Sequence, residues 1–403
     1  MIVLTKIRIA ARARIAMTLV ALALLVPVLG IAWQDQVKVA RFHNRALSAW
    51  PASSAFASPP DYFRQARAWL ADRVWPLEAV MLQKRILYFA LATPPAHKLT
   101  IAADGQVFLS SWNEVEPNVL FESLCVRAHG DETCRGLARA LPDFAEYARQ
   151  RSVAFDMLVV PTTATLYAQR LPRSVQRRLR DACGAVAAGQ SALRDVDVPP
   201  GLHYLYAYDA LRPYLDDPGF YPRNGWHASG KSLAVLRDAW LASIGFTPAI
   251  DERIEPVVQM AEMLLMSGVV DPQPAYVVRN PHVRADAARN AAFRAAIGDL
   301  FTNPAFPTNV FTNASAPVGE SLLIVSDSFG QLASEVFAGA FADVVQVNTN
   351  DLPFGDVATL IDRAQALQRA DRILLLFQEG GVDRAINYAR VLRLAAERTP
   401  PAG

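Results

Sequence analysis

The sequence predicts an α/β protein: a parallel sheet with helices on both faces. Three observations carry this. The last eighty residues alternate strand and helix: SLLIVSD, FGQLASEVFAGAF, ADVVQV, DVATLIDRAQALQ, ADRILLLF and VDRAINYARVLRLAA. Strands that are apolar throughout and separated by helices are those of a sheet covered on both sides. Two further short apolar runs, FDMLVVP at 155–161 and LHYLYAYD at 202–209, each lead into a loop. Composition supplies the third: 403 residues, 52% hydrophobic and 19% charged, exclude disordered and coiled-coil classes. The 20 Gly and 27 Pro follow no repeat, which excludes a solenoid or propeller.

Charge narrows the partners. Lys6, Arg8, Arg12 and Arg14 precede an uncharged run of 19 residues, Ile15 to Trp33, and no acid lies among them. Elsewhere basic and acidic residues nearly balance, so the basic surplus of a nucleic-acid binder is missing. At about 1.5 Å per residue the run just crosses a hydrocarbon core of about 30 Å. Its basic flank orients the N-terminus inward. A cleaved signal peptide shares that flank, but no small-x-small site follows the run, which favours an uncleaved anchor. The expected division is a basic cytoplasmic tail at 1–14, an anchor at 15–33, a juxtamembrane helical segment at 34–95 and an exported α/β domain at 96–400.

Along the exported part, Asp61 reads as the N-cap of a helix through 91 that Pro76 kinks or breaks. LTIAADGQVFLSS alternates about Asp104-Gly105, a hairpin signal. A helix is expected at 231–244, and 251–300 read as helical with a central loop. Cys125 and Cys134 lie in a loop-like stretch where a disulfide is possible, whereas Cys183 reads as a buried thiol in a helix. No Cys/His cluster has metal spacing, so no metal site or cofactor is expected.

In open parallel sheets ligands gather at the carboxyl ends of the strands. The strand ending at Val325 delivers Ser326-Asp327-Ser328-Phe329-Gly330 there, directly before a helix. A Ser at a helix N-terminus has free N–H groups and a positive dipole end beside it. Ser328 is thus the candidate nucleophile; the plain alternative is a capping role for Ser326, Asp327 or Ser328. A serine nucleophile needs a base. Of six His, His227 is the one in a Gly/Pro loop beyond a strand, Asn224-Gly225-Trp226-His227-Ala228-Ser229-Gly230. A lone loop His is more often exposed or structurally bonded.

A Ser in an Asp-Ser-Phe turn after an apolar strand resembles the Gly-Asp-Ser block of SGNH hydrolases. With the His about a hundred residues upstream of the Ser, the order resembles the permuted alginate O-acetyltransferase group (AlgJ/AlgX-like). Further similarities run from about 40 to 385: Asn44-Arg45-Ala46-Leu47 before Pro51, Ala103-Asp104-Gly105-Gln106-Val107-Phe108-Leu109, and Val159-Val160-Pro161 followed by Tyr167 and Leu171-Pro172.

The resemblance implies an SGNH-like domain in the periplasm, held to the inner membrane. It implies O-acetylation of an exopolysaccharide or envelope glycan, with a polysaccharide acceptor and a membrane-bound O-acyltransferase as the acetyl source. In the family an acid precedes the His by two or three positions; here those positions are Gly225 and Asn224. Three arrangements fit: Asn224 or a carbonyl orients His227; an acid from elsewhere, Asp209, Asp216 or Asp217, substitutes; or the domain mainly binds. The Ser328 N–H is the natural oxyanion donor, joined by Asn350 and Gln378 from the loops after the next two strands. Trp226 offers a sugar-stacking face or packs the loop. A periplasmic acetyl esterase and a non-catalytic glycan-binding scaffold are the rival functions.

Overall fold

The computed structural model describes residues 35–37, 39, 47–53, 58–73, 77–112, 116, 118–260, 262–303 and 306–398. The basic tail and the 15–33 anchor lie outside them, as do Pro76 and residues 44–46. Among the described residues, no helix is long and apolar enough to cross a membrane. The chain divides into two units, 1–96 with 262–271, and 97–261 with 272–403.

In the first unit, α1 (Pro59–Ala71) and α2 (Leu77–Arg85) lie on either side of Pro76, and a π-helical turn, Ile86–Ala90, extends α2. α1 starts three residues earlier than expected: Ser58 is the N-cap and Asp61 sits in the first turn, bonded to Arg64 at 2.6 Å. Proline lacks the N–H that a first turn leaves unpaired anyway, so Pro59-Pro60 begins the helix rather than breaking the chain before it. The 262–271 segment supplies buried Met263, Leu264 and Val269. Tyr88 donates to Asp271 at 2.8 Å.

The second unit opens with the expected hairpin, β1 (Leu99–Ile101) and β2 (Val107–Leu109), antiparallel about Gly105 with φ +84°. Its sheet holds β3 (Ala154–Val160), β4 (Leu202–Tyr206), β7 (Val283–Ala285), β8 (Thr308–Asn313), β9 (Val318–Ser326), β10 (Phe341–Asn348) and β11 (Arg372–Gln378), in the order β4-β3-β11-β9-β10-β8-β7. The first five in that order run parallel, while β8 and β7 add antiparallel at one edge. The sheet is flanked by α3 (Asp131–Arg151), α4 (Arg177–Ala187), α5 (Gly230–Ser243), α6 (Ala287–Ile297), α7 (Ser328–Ala338), α8 (Val357–Leu367) and α9 (Val382–Arg398). The core sits on β3, β9 and β11, where Phe155 to Val160, Leu322 to Val325 and Ile373 to Phe377 are 0–2% exposed. That continuous burial is what apolar strands between two helical layers require.

Two expectations are corrected here. Residues 251–300 are not mainly helical: β5 (Arg253–Met260) and β6 (Pro272–Arg279) form an antiparallel ribbon, and among the described residues helix is confined to a short turn at Glu262–Leu265, α6 and a 3-10 turn at Gly298–Leu300. Pro256, Pro272 and Pro274 would each delete a helical hydrogen bond, whereas Val257, Val258, Val277 and Val278 suit a pleated ribbon. The disulfide joins Cys125 to Cys183, not to Cys134, and ties the turn Glu122–Arg127 to α4. Cys134 is the buried thiol, pushed up to about 11 by burial and the nearby Asp131. Residues 119–134 are mostly helical rather than a loop, and Cys134 Sγ lies 3.8 Å from the Ala128 carbonyl oxygen.

Candidate active site

β9 lies between β10 and β11, with Ser326 in register with Asn348 on one side and Leu376 on the other. β10 ends level with Ser326, whereas β11 runs two residues further, to Gln378. The chain turns sharply from β9 into α7. Asp327 is the N-cap and accepts the Phe329 N–H at 2.9 Å, leaving Ser328 as the first helical residue. The N–H groups of a first turn have no intrahelical acceptor, so the Ser328 N–H remains a donor at the positive end of the helix.

The tightness of this turn depends on Gly330. A Cβ there would lie 2.2 Å from Ser326 Oγ and 2.3 Å from Ser326 Cβ. Ser326 is buried, accepting from Gln346 Nε2 at 3.1 Å, and does not face the reactive side. Ser326, Asp327 and Ser328 thus divide the labour: strand packing, helix capping, and presentation of a half-exposed hydroxyl.

His227 comes from the loop before α5. Several bonds hold that loop. Ser229 Oγ donates to the Gly219 and Phe220 carbonyls, and Asp217 accepts from Lys231 at 2.7 Å, Gly219 N–H at 3.0 Å and Tyr276 O–H at 3.2 Å. Burial would raise the Asp217 carboxyl, but these donors hold it below the usual carboxylate range. Gly230 is required where the loop enters α5, because a Cβ would meet the Tyr276 carbonyl at 2.7 Å. The result places His227 Nε2 2.8 Å from Ser328 Oγ across 101 residues of sequence. With Nδ1 protonated, Nε2 accepts the Ser328 O–H, which is the geometry of a base poised on a nucleophile. The His227 ring also packs on Phe329, centroids 4.8 Å apart.

Asp327 adds charge to this pair. Its second oxygen accepts the Gln378 N–H at 2.8 Å, tying the β9–α7 turn to the end of β11. Burial pushes its carboxyl up to about 6, against those two backbone donors and the positive potentials of His227 and Arg384.

The other expected site residues fall as follows. Asn224 is buried in the His227 loop at 1% exposed. Asp209 is held by Arg194 at 2.5 Å. Asn350 is exposed, its N–H donating to Asn348 Oδ1 at 3.0 Å, and Arg384 clamps the Thr349 carbonyl at 2.8 Å. Gln378 spends its N–H on Asp327 and its side-chain oxygen on Gly380 N–H at 2.7 Å. Trp226 is 6% exposed, its ring between Trp112 and Phe329 at 6.2 and 6.3 Å.

Behind the site lies a buried network that sequence reasoning missed. Glu379, fully buried, accepts from Thr162 N–H at 3.2 Å, Thr162 Oγ1 at 2.7 Å, Thr165 Oγ1, Tyr206 O–H at 3.0 Å and His129 Nε2 at 3.0 Å. His129 Nδ1 meets Ser191 Oγ at 2.9 Å. Five donors around one carboxylate fasten the ends of β3, β4 and β11, next to the Gln378 that bonds Asp327. The available signal was positional: Thr162, Tyr206 and Glu379 all sit at carboxyl ends of strands. Among the described residues no cluster of His, Cys, Asp and Glu could hold a metal ion.

No protein-family profile and no curated protein matches the sequence. Among solved structures, the chain is similar to PatB1 of Bacillus cereus, at 10% identity and a TM-score of 0.43 over 62% of this chain and 91% of that one. It is also similar to a DHHW family protein from Eubacterium siraeum, at 14% identity and 0.42, over 63% and 88%. A third similarity is to the O-acetyltransferase domain of Pseudomonas putida AlgJ, at 11% identity and 0.40, over 70% and 92%.

Proposed function

We propose that this chain is an O-acetyltransferase acting on a cell-envelope glycan through a Ser328 acyl-enzyme. One observation carries the proposal: Ser328 Oγ lies 2.8 Å from His227 Nε2 at a helix N-terminus, on the carboxyl edge of a parallel sheet. In the first half-reaction His227 takes the Ser328 proton as Oγ attacks the acetyl carbonyl. The oxyanion forms beside the Ser328 N–H, and the donor's leaving group departs with the proton from His227. In the second, a sugar hydroxyl gives its proton to His227 and attacks the acetyl-serine, regenerating both residues. The buried Asp327 carboxyl holds the turn that presents Ser328, through the Phe329 and Gln378 N–H groups, in each half without being consumed.

The sequence resemblance supplies the acceptor class and the donor: a polysaccharide outside the cytoplasm, with acetyl groups passed across by a membrane-bound O-acyltransferase. The apolar 15–33 run supports tethering to the inner membrane, with the α/β domain in the periplasm. The Cys125–Cys183 disulfide is consistent with a compartment where thiols are oxidised.

The test is turnover of 4-nitrophenyl acetate by the purified full chain, with and without acceptor glycan. Ser328→Ala and His227→Ala should each lower kcat/KM by about 1000-fold or more. Acetylated sugar should form only with the intact pair. Unchanged turnover in Ser328→Ala would overturn the proposal, and acetate as the sole product with glycan present would identify an esterase.

A further inference from the structure

Trp112 is 61% exposed, although its neighbours Ser110 and Ser111 are buried at 1% and 0%. Isolated exposed aromatics are ordinary on protein surfaces. This one differs in being held rigidly and in being continuous with the reactive pair. Its backbone is pinned from behind: Ser110 N–H, Ser111 N–H and Ser110 Oγ all donate to the Lys98 carbonyl, at 2.8, 3.3 and 3.0 Å, and Leu120 N–H donates to the Ser110 carbonyl at 3.2 Å. The hairpin that carries it is bonded to the His227 loop, since the Arg223 carbonyl accepts from Val107 N–H at 2.9 Å and from buried Gln106 Nε2 at 2.8 Å. The indole then packs edge-to-face on Trp226, which packs on Phe329, the residue after Ser328 and the ring against which His227 lies.

We infer that Trp112 is a stacking subsite for a pyranose ring of the acceptor glycan, close to the unit that receives the acetyl group. The inference rests on the proposed glycan acetylation and names the recognition element of that same site. A flat indole presents a large apolar face at low conformational cost, matching the C–H face of a sugar whose hydroxyls stay in water. Trp226 is too buried to offer such a face; it acts as the backing that fixes Trp112. A single rigid ring near the nucleophile suits a chain of repeating sugars, since each unit presents the same face and the polymer can be re-threaded without a new pocket.

The probes are oligosaccharides of β-1,4-linked mannuronate and of β-1,4-linked glucose. They are titrated by calorimetry into the full chain in detergent carrying Ser328→Ala, so that no turnover occurs. At least one probe should bind, Trp112→Ala should weaken it by tenfold or more, and Trp112→Phe should stay within about threefold because a planar ring is kept. Equal melting temperatures for the three proteins confirm that the fold is intact, as expected for so exposed a side chain. Failure of both probes to bind, or binding that Trp112→Ala leaves unchanged, overturns the inference. Neither result touches the acetyl-enzyme chemistry, which is read from ester turnover in protein with Ser328 intact.

Discussion

Replacing Gly330 with Ala probes how closely the β9–α7 turn must fit. The new Cβ would stand 2.2 and 2.3 Å from Ser326 Oγ and Cβ. Ordinary contacts between such atoms are about 3.5–4.0 Å, so the start of α7 must move away from β9 by about 1 Å. Rotating Ser326 Oγ aside does not help, because its Cβ is fixed to the strand. Overpacking of this kind costs about 1–3 kcal/mol, and the better helix propensity of Ala returns at most about 1 kcal/mol. A displacement of about 1 Å at a reacting group can lower turnover about 100-fold. Gly330→Ala should therefore lose about 2 kcal/mol in urea denaturation and far more activity than its stability loss explains.

The second arm of the experiment is Ser326→Gly, which removes both clashing atoms and leaves Ile324 Cγ2 as the nearest contact at 3.3 Å. Alone it removes the acceptor of Gln346 Nε2 at 3.1 Å and costs about 1–3 kcal/mol. Together the two changes should be less destabilising than their sum by about 1–2 kcal/mol, and Ser328 turnover should partly recover. Wild-type stability and activity in Gly330→Ala, or strict additivity in the double variant, would refute the proposed contact.

Other perturbations test other parts. Glu252→Ala should cost about 1–3 kcal/mol, because Arg237, 1% exposed, loses its bidentate partner at 2.6 and 2.7 Å but keeps Asp238 at 2.8 Å and the Val336 carbonyl at 3.0 Å. Urea midpoints compare it with wild type. Glu379→Ala should be similarly damaging, since five donors lose one acceptor. Glu379→Gln should be milder, as hydroxyls rotate and His129 can change tautomer. Asp327 has its carboxyl raised to about 6, so the charged form is the costly one in the fold. Its penalty is absent below the unfolded value near 4 and fully present above about 6, amounting to about 3 kcal/mol. Melting curves across that range should show stability falling with rising pH, less so in Asp327→Asn. Activity should move the opposite way, with an acidic limb near pH 6 that Asp327→Asn lacks, as protonation weakens the acceptor that ties the β9–α7 turn to the Gln378 N–H.

Much of this was legible because the physics is local. The final β-α-β-α-β-α run announces itself by apolar strands between amphipathic helices, and the carboxyl-end rule then points to Ser328. His227 was reachable because few His exist and its loop is rich in turn residues. The β5–β6 ribbon was not, since β5 is largely exposed and lacks the alternation that burial imposes; only its prolines and paired valines spoke against a helix. The Cys125–Cys183 bond depends on how α4 packs against the Glu122–Arg127 turn, a tertiary fact that spacing along the chain does not carry. Glu379 and His129 are 250 residues apart, and their pairing follows from sheet order rather than from any motif.

The most direct measurement is to mix the full chain with 4-nitrophenyl acetate, quench in acid and locate any acetyl group by peptide mass spectrometry. A single acetyl ester on Ser328, missing from Ser328→Ala and formed far more slowly in His227→Ala, is the expected result. Ester consumption with Ser328 unmodified at every quench time, or acetyl carried on a different side chain, would contradict covalent catalysis at this turn.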